Sequence, residues 1–200
     1  MFCPATARGH LYFRAHNLTI SALRAGLYPK HLPADDPRLS VRILGQHFPN
    51  PIGIAAGFDK NALVYNQLLK LGFGFAEAGT VTPLAQPGND GPRAFRLPGH
   101  QAIINRYGFN NDGMEAVAQR LQSVPPAGVL GINVGANKNS ADKAVDYAAC
   151  VRRLAPFAGF ITVNISSPNT PGLRALQVGD ALDELLARVV EARNEVVCDH

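Results

Sequence analysis

The chain has 200 residues, of which 46% are hydrophobic and 17% charged, so it is long enough to bury a core and too apolar for a disordered or collagen-like protein. Its three cysteines, Cys3, Cys150 and Cys198, are odd in number and widely spaced, which argues against a disulfide framework or a zinc site and for a reducing compartment. All of the +4 net charge lies in residues 1–34, which carry four basic and no acidic side chains.

The first predicted element is an amphipathic helix over residues 10–28 with a basic polar face. Its apolar residues recur at helical spacing, and Gly26 and Pro29 mark its end. Two interpretations stay open: the helix packs on the main domain, or it lies on an anionic membrane surface. No apolar run approaches the roughly 18 residues that a membrane-spanning helix needs, so an integral membrane protein is not expected.

A β-hairpin is predicted next, because residues 41–48 have two short apolar runs around a glycine. The pattern then alternates. Strands are predicted over 52–57, 73–81, 129–135 and 159–165, and helices over 61–71, 112–122, 140–154 and 180–193.

Four consecutive β-α units indicate an α/β protein with a parallel sheet, either doubly wound or closed into a barrel. Polar motifs follow each strand, as they do at the mouth of a barrel, and no G-x-G-x-x-G follows the first strand. A (β/α)8 TIM barrel is therefore favoured over a nicotinamide-binding fold. Since such a barrel has eight units, residues 1–200 are expected to hold only the first half, preceded by the helical arm.

Several motifs at the predicted strand ends could carry chemistry. Lys60, in AAGFDK, is either a surface lysine paired with Asp59 or a desolvated lysine that forms a Schiff base or holds a substrate anion. The asparagine-rich segments 104–113 and 164–172 are typical of turns, but their amides also suit the imide edge of a pyrimidine or flavin. Asn133 ends the third strand, where an amide would face the barrel rim.

Ser167 is a candidate proton acceptor in the loop after the fourth strand. A serine hydroxyl is a weak base and no histidine-containing triad is apparent, so a G-x-S-x-G hydrolase is disfavoured. Proton removal by Ser167 would need a closed, desolvated loop and an acidified C–H. His16 and His31 are expected at the surface or in helix packing, and no carboxylate pair or histidine cluster indicates a metal.

Several segments are distinctive in combination: NPIGIAAGFDKNA, EAGTVTP, FRLPGHQAIINRYGFNNDG, GINVGANK, DYAACVRRL and FITVNISSPNTPGLRALQ. Together they resemble the class 2, quinone-dependent dihydroorotate dehydrogenases, nearly without a break from Leu39 to Gln177. The segment AHNLTISALRAGLYP is similar to the second helix of that family's membrane-facing domain. The resemblance implies an N-terminal amphipathic arm, residues 1–38, and the first half of a flavin-binding TIM barrel, residues 39–200.

The resemblance implies an enzyme of pyrimidine biosynthesis that oxidises dihydroorotate to orotate, with FMN as cofactor and ubiquinone as electron acceptor. Ser167 would remove the C5 proton while flavin N5 takes the C6 hydride; soluble class 1 enzymes have cysteine at this position, so the serine favours class 2. The implied cofactor-binding residues are Ala56, Gly57, Phe58, Asp59, Lys60, Thr80, Asn133 and Asn164. The implied substrate-binding residues are Lys60, Asn105, Arg106, Tyr107, Gly108, Phe109, Asn164 and Asn169.

His16 and Arg96 resemble residues that border the family's quinone tunnel. The implied partners are dihydroorotate or orotate, ubiquinone and a membrane surface, with no nucleic acid. The implied location is peripheral, on the cytoplasmic face of a bacterial inner membrane, or on the mitochondrial inner membrane in a eukaryote. No presequence is apparent, which favours the bacterial location.

The resemblance also has limits. The family's fifth-strand lysine, the Thr-Asn pair of its sixth strand and its glycine-rich phosphate-binding loops have no counterpart in residues 1–200, and Pro4 and Gly9 depart from its first helix. We therefore expect a fragment with unpaired strand edges and little or no turnover alone. Two alternatives stay open: a non-catalytic half-barrel that binds a partner or self-associates, and a different flavin barrel that reduces a related pyrimidine.

Overall fold

The computed structural model describes residues 6–30 and 35–197. Cys3, Pro4, His31 and Cys198 lie outside these ranges. The helices are α1 Thr6–Arg24, α2 Tyr65–Lys70, α3 Met114–Ser123, α4 Lys143–Leu154 and α5 Asp180–Val197. The strands are β1 Val41–Ile43, β2 Gln46–Phe48, β3 Gly53–Asp59, β4 Phe75–Val81, β5 Ala94–Leu97, β6 Ala102–Asn105, β7 Val129–Val134 and β8 Phe160–Val163.

The central element is a parallel sheet of four strands in the order β3-β4-β7-β8. Helix α2 connects β3 to β4, α3 lies between β4 and β7, and α4 lies between β7 and β8. This is the sequential order of a (β/α)8 barrel, and it confirms the four predicted β-α units. Among the described residues, β3 and β8 are paired along one edge only.

Two antiparallel ribbons accompany the sheet. The first joins β1 to β2 through Leu44 and Gly45, both at positive φ, as the glycine-centred hairpin pattern predicted. The second joins β5 to β6 between β4 and α3, and sequence reasoning missed it. The first predicted strand of the parallel sheet ends at residue 57, which is too early, because β3 continues through Phe58 to Asp59.

Close packing between neighbouring strands explains two glycines near the amino ends of the sheet. Gly53 pairs with Phe75, and a Cβ on Gly53 would lie 2.3 Å from the Phe75 ring. Gly131 pairs with Phe160 in the same way, at 2.2 Å. The two rings also contact each other edge-on, with centroids 6.1 Å apart. Glycine at both positions gives these rings the space that a side chain would fill.

The hydrophobic core lies between the sheet and helices α3 to α5. Strand β7 is buried along its whole length, and Leu121, Tyr147 and Leu185 contribute fully buried side chains from the three helices. The Tyr147 hydroxyl donates a 2.6 Å hydrogen bond to the carbonyl of Asn164, just after β8. Helix α4 thereby holds the point where the chain leaves the sheet toward Ser167.

Candidate active site

The polar loops after the strands surround a cavity of about 340 Å³. Its lining residues come from β3, β4, the loop after β6 and the loop after β8, and they are Ala56, Gly57, Lys60, Thr80, Asn105, Tyr107, Gly108, Phe109, Asn110, Ser167 and Asn169. All except Asn110 are residues that the sequence predicted for the site. A larger cavity of about 840 Å³ lies at the amino ends of the strands, but among the described residues that line it only His47 has a titratable side chain. The smaller cavity is therefore the candidate active site.

A network of polar side chains joins three strands beside this cavity. The Asn133 side-chain oxygen accepts hydrogen bonds from Thr80 Oγ1 at 2.6 Å and from Asn164 Nδ2 at 3.0 Å. The Asn133 amide nitrogen donates to Glu77 Oε1 at 2.9 Å. These bonds fix the orientation of the Asn133 amide and occupy its buried polar atoms.

Lys60 lies at the end of β3 with its ammonium directed into the site. Its Nζ donates to the carbonyl of Gly57 at 2.5 Å and lies 5.0 Å from the centroid of the Tyr107 ring. Among the described residues, no carboxylate lies within ion-pair distance of Lys60, so of its two interpretations the surface pair with Asp59 is not observed. Burial lowers the pKa of Lys60, and the nearby charge of Asp59 opposes that shift. A half-buried cation without a paired carboxylate is suited to an anionic ligand.

Asp59 is buried and serves the chain itself. Its two carboxylate oxygens accept backbone N–H groups of Leu63 at 2.8 Å and Val64 at 2.7 Å, just before α2. Burial raises the pKa of Asp59, while these backbone hydrogen bonds oppose the shift. Phe58 is also outside the lining of the cavity, because its ring packs against His16. The structure therefore separates these two predicted cofactor residues from Ala56 and Gly57.

The segment after β6 forms one wall of the cavity. Gly108 and Phe109 both have positive φ values, 71° and 51°, so the chain turns sharply there. Arg106 points away from the cavity, and its Nε donates to the carbonyl of Pro92 at 3.0 Å. Oδ1 of Asn110, a residue that sequence reasoning missed, is buried without a hydrogen-bond partner among the described residues.

The Ser167 loop forms the opposite wall. The hydroxyl oxygen of Ser167 accepts a hydrogen bond from the backbone N–H of Asn169 at 3.2 Å. Two side chains that follow hold the start of the loop: Gln177 Nε2 donates to the carbonyl of Ile165 at 2.9 Å, and Arg174 Nε donates to that of Ser166 at 3.1 Å. The loop therefore presents Ser167 and Asn169 to the same cavity as Lys60.

Helix α1 approaches the site from the outside. The imidazole of His16 packs edge-on against the Phe58 ring, with centroids 5.4 Å apart, and α1 packs on β5, the strand that contains Arg96. Burial and the charge of Lys60 both lower the pKa of His16. Of the two interpretations of this helix, packing on the main domain is thus observed. No helix in residues 6–30 and 35–197 is long and apolar enough to cross a membrane.

Comparison with known proteins relates the chain to one family. Residues 38–198 match the profile of the family described as Dihydroorotate dehydrogenase. The chain is 59% identical over 184 residues to a protein of Rhodopseudomonas palustris (strain BisB5) named dihydroorotate dehydrogenase (quinone), and 56% identical over 183 residues to the Brucella anthropi protein of the same name. Each alignment covers 91% of this chain and 50% of the relative, so the chain spans about half the length of these relatives.

The fold has similar solved structures. A crystal structure of DHODH from Eimeria tenella in complex with ferulenol superposes with a TM-score of 0.85 at 42% identity, over 90% of this chain and 50% of that one. A ligand-free structure of the same enzyme superposes with a TM-score of 0.84 over 89% of this chain. The four-stranded sheet thus corresponds to part of a larger chain.

Proposed function

The chain belongs to the dihydroorotate dehydrogenase family, and we propose that it supplies the part of a quinone-linked dihydroorotate dehydrogenase that binds the pyrimidine ring and removes its proton. One observation carries this proposal. The Ser167 hydroxyl, the Lys60 ammonium and the polar segment from Asn105 to Asn110 line a single cavity at the carboxyl end of a half-barrel. Ser167 supplies a proton acceptor, Lys60 supplies a cation for the carboxylate of a ligand, and the asparagine side chains supply amides for the imide of a pyrimidine ring.

The cavity fits a flat heteroaromatic cofactor such as FMN. Gly57 lines it with a φ of 102°, and a Cβ there would meet nothing within 4 Å, so the backbone can approach a planar ring closely. The residues that would hold the flavin are Ala56, Gly57, Lys60 and Thr80, with Asn133 and Asn164 fixing Thr80 from behind. When bound, FMN supplies a two-electron acceptor for a hydride from the substrate.

Substrate binding follows from the charges and amides of the cavity. Dihydroorotate carries a carboxylate, and Lys60 offers a cation that has no ion pair with a carboxylate of residues 6–30 and 35–197. The ring has an imide with alternating N–H and C=O groups, which Asn105 and Asn169 can match because each amide has donors and an acceptor. Asn110 lines the same wall of the cavity.

Ser167 is the group we assign to proton removal. Dihydroorotate loses a proton from C5 and a hydride from C6 when the C5–C6 double bond of orotate forms. The Ser167 hydroxyl first gives its own proton to water, and the resulting alkoxide oxygen then takes the C5 proton. The Asn169 N–H donates to that oxygen and stabilises negative charge on it. Since serine is a weak base, this step requires the loop to exclude water from the site.

We further propose ubiquinone as the final electron acceptor and the cytoplasmic face of a bacterial inner membrane as the place of action. Helix α1 has no acidic residue, and its His16 packs against Phe58, the residue next to Gly57 of the candidate site. Leu18 and Leu27 are 72% and 73% exposed, which supplies apolar groups for a lipid surface. His16, against Phe58, and Arg96, on β5, are the residues proposed to border the quinone.

Turnover by the whole enzyme is proposed to require the rest of a barrel, carried by the same polypeptide or by another. The matched relatives are about twice as long as the aligned region. The open edges of β3 and β8 give a second candidate function some support, namely a non-catalytic half-barrel that pairs with a partner or with itself. Ligand binding at the cavity distinguishes the two.

The test is calorimetric titration of the chain, saturated with FMN, with orotate and with uracil, which lacks the carboxylate. We expect orotate to bind at least about tenfold more tightly than uracil, and Lys60→Gln to remove this preference, because an ion pair to a carboxylate contributes about 1.5–3 kcal/mol. Lys70→Gln, an exposed lysine on α2, is the matched control. Equal binding of both ligands, or none, would contradict the proposal.

A further inference from the structure

Gln86 lies in the loop after β4, outside the lining of the candidate cavity, yet it contacts the wall of that cavity directly. Its side-chain Nε2 donates to the carbonyl oxygens of Gly108 and Phe109, both at 3.1 Å. Its backbone N–H and C=O also pair with the backbone of Asn111, at 3.0 and 3.1 Å. Gln86 thus bonds to three of the four residues from Gly108 to Asn111, in the segment after β6.

The other end of the Gln86 amide is held equally firmly. Oε1 accepts hydrogen bonds from Asn137 Nδ2 at 2.9 Å and from the backbone N–H of Lys138 at 3.1 Å. If the Gln86 amide were reversed, its NH₂ group would face the N–H donors of Asn137 and Lys138, and its oxygen would face the two carbonyls. Asn137 is itself anchored, since its backbone N–H donates to Asp146 of α4 at 2.8 Å. Gln86 therefore connects the cavity wall to the main body of the protein.

The cavity wall needs such support because of its backbone conformation. Gly108 and Phe109 are consecutive residues at positive φ, and for a residue with a side chain this costs about 1–2 kcal/mol. Gly108 is also buried, and a buried carbonyl needs a hydrogen-bond donor, which Gln86 supplies. Of the two carbonyls that Gln86 binds, that of Phe109 belongs to the residue in the unfavourable conformation, and it also accepts from Asn111 Nδ2 at 2.8 Å.

We propose that Gln86 is a positioning residue: its side-chain amide holds residues 105–109 in the shape that receives the pyrimidine ring. The role in substrate binding rests on the proposed function, whereas the role in shaping the segment does not. Gln86 acts through Gly108 and Phe109 and does not touch the ligand. Its loss should weaken orotate binding and leave the contribution of Gly57 and Thr80 to flavin binding intact.

The decisive variant is Gln86→Glu, which keeps the length of the side chain and its acceptor for Asn137 and Lys138 but removes both donors. It also sets a negative oxygen against two carbonyls. Gln119→Glu, at an exposed glutamine of α3, is the matched control for the added charge. We expect Gln86→Glu to weaken orotate binding about tenfold and FMN binding by less than about twofold, since two neutral hydrogen bonds are lost.

A second readout does not depend on orotate. Backbone amide exchange followed by NMR should accelerate at Arg106 and Asn111, whose N–H groups donate to Arg93 and Gln86, and stay unchanged at β7. Unchanged exchange at Arg106 and Asn111, or equal losses of orotate and FMN affinity, would overturn the proposal. If the unaltered chain binds no orotate but exchange still rises only in this segment, the positioning role stands and the proposed function fails.

Discussion

The hydroxyl of Thr80 donates a hydrogen bond of 2.6 Å to the side-chain oxygen of Asn133, and so joins the carboxyl ends of β4 and β7 beside the candidate cavity. Both side chains are buried. The same oxygen of Asn133 accepts from Asn164 after β8, so three of the four strands meet in one polar network. In such a network each buried group depends on the others for its hydrogen bonds.

The first prediction concerns the centre of this network. Asn133→Leu keeps the approximate size of the side chain but leaves the Thr80 hydroxyl, the Asn164 amide and the Glu77 carboxylate without this partner. We expect a loss of about 1–3 kcal/mol in the free energy of unfolding, because buried groups become unpaired. Urea unfolding measures this loss. Thr80→Ser, which keeps the hydroxyl, is the control, and an equal effect of both variants would contradict the prediction.

The second prediction is the pH dependence of orotate binding. The carboxylate of orotate prefers the charged form of Lys60, and burial lowers the pKa of Lys60. Affinity should therefore fall as the pH rises, and the fall should begin below the ordinary lysine pKa of about 10.4. Lys60→Arg should bind without this fall, since arginine stays charged. A constant affinity up to pH 10.5, or the same fall in Lys60→Arg, would be inconsistent with the assigned role.

The third prediction separates chemistry from binding at the Ser167 loop. Ser167→Ala should slow the reduction of bound flavin by dihydroorotate by about 10²–10⁴-fold, the range of a general base, while orotate affinity changes little. Stopped-flow absorbance under anaerobic conditions measures the rate. The neighbouring Ser166, whose hydroxyl donates to Asn164 at 3.1 Å, provides the control variant Ser166→Ala. Equal rates in the two variants would remove Ser167 from the mechanism.

The fourth prediction tests the contact between α1 and the site. Burial and the charge of Lys60 together lower the pKa of His16. Lys60→Gln should raise the His16 pKa only partly toward its ordinary value, because the burial remains. Proton NMR of the imidazole follows the titration. Lys30→Gln, which removes a cation that lies over the ring of Tyr28, is expected to leave it unchanged. If Lys60→Gln leaves the His16 pKa unchanged, α1 does not pack beside Lys60 in solution.

The parallel sheet could be predicted from the pattern of the sequence, whereas most of the cavity lining was implied by the family resemblance. Apolar periodicity separates strands from helices, and consecutive β-α units bring the carboxyl ends of their strands to one edge. Lys60 and Ser167 are far apart in the chain, yet both lie just after the carboxyl end of a strand of the same sheet, so they converge on one cavity.

The remaining features depend on geometry that periodicity does not contain. Strand β6 is exposed at all four of its residues, so it has no buried face to produce an alternating pattern, and the β5–β6 ribbon was missed. Asp59 and Lys60 are adjacent in sequence, which suggested an ion pair, but Asp59 turns inward to the amides before α2 while Lys60 turns to the cavity. The proposed role of Gln86 depends on the orientation of its side-chain amide, which the sequence around it does not indicate.

The most direct test of the account completes the barrel. The chain spans the N-terminal half of the Rhodopseudomonas palustris relative, so residues 1–200 are fused to the remaining half of that protein, purified with FMN and mixed anaerobically with dihydroorotate. We expect a yellow protein whose flavin absorbance bleaches, and a Ser167→Ala variant that stays yellow on the same timescale. A fusion protein that binds flavin but does not bleach with dihydroorotate, or that bleaches equally fast without the Ser167 hydroxyl, would contradict it.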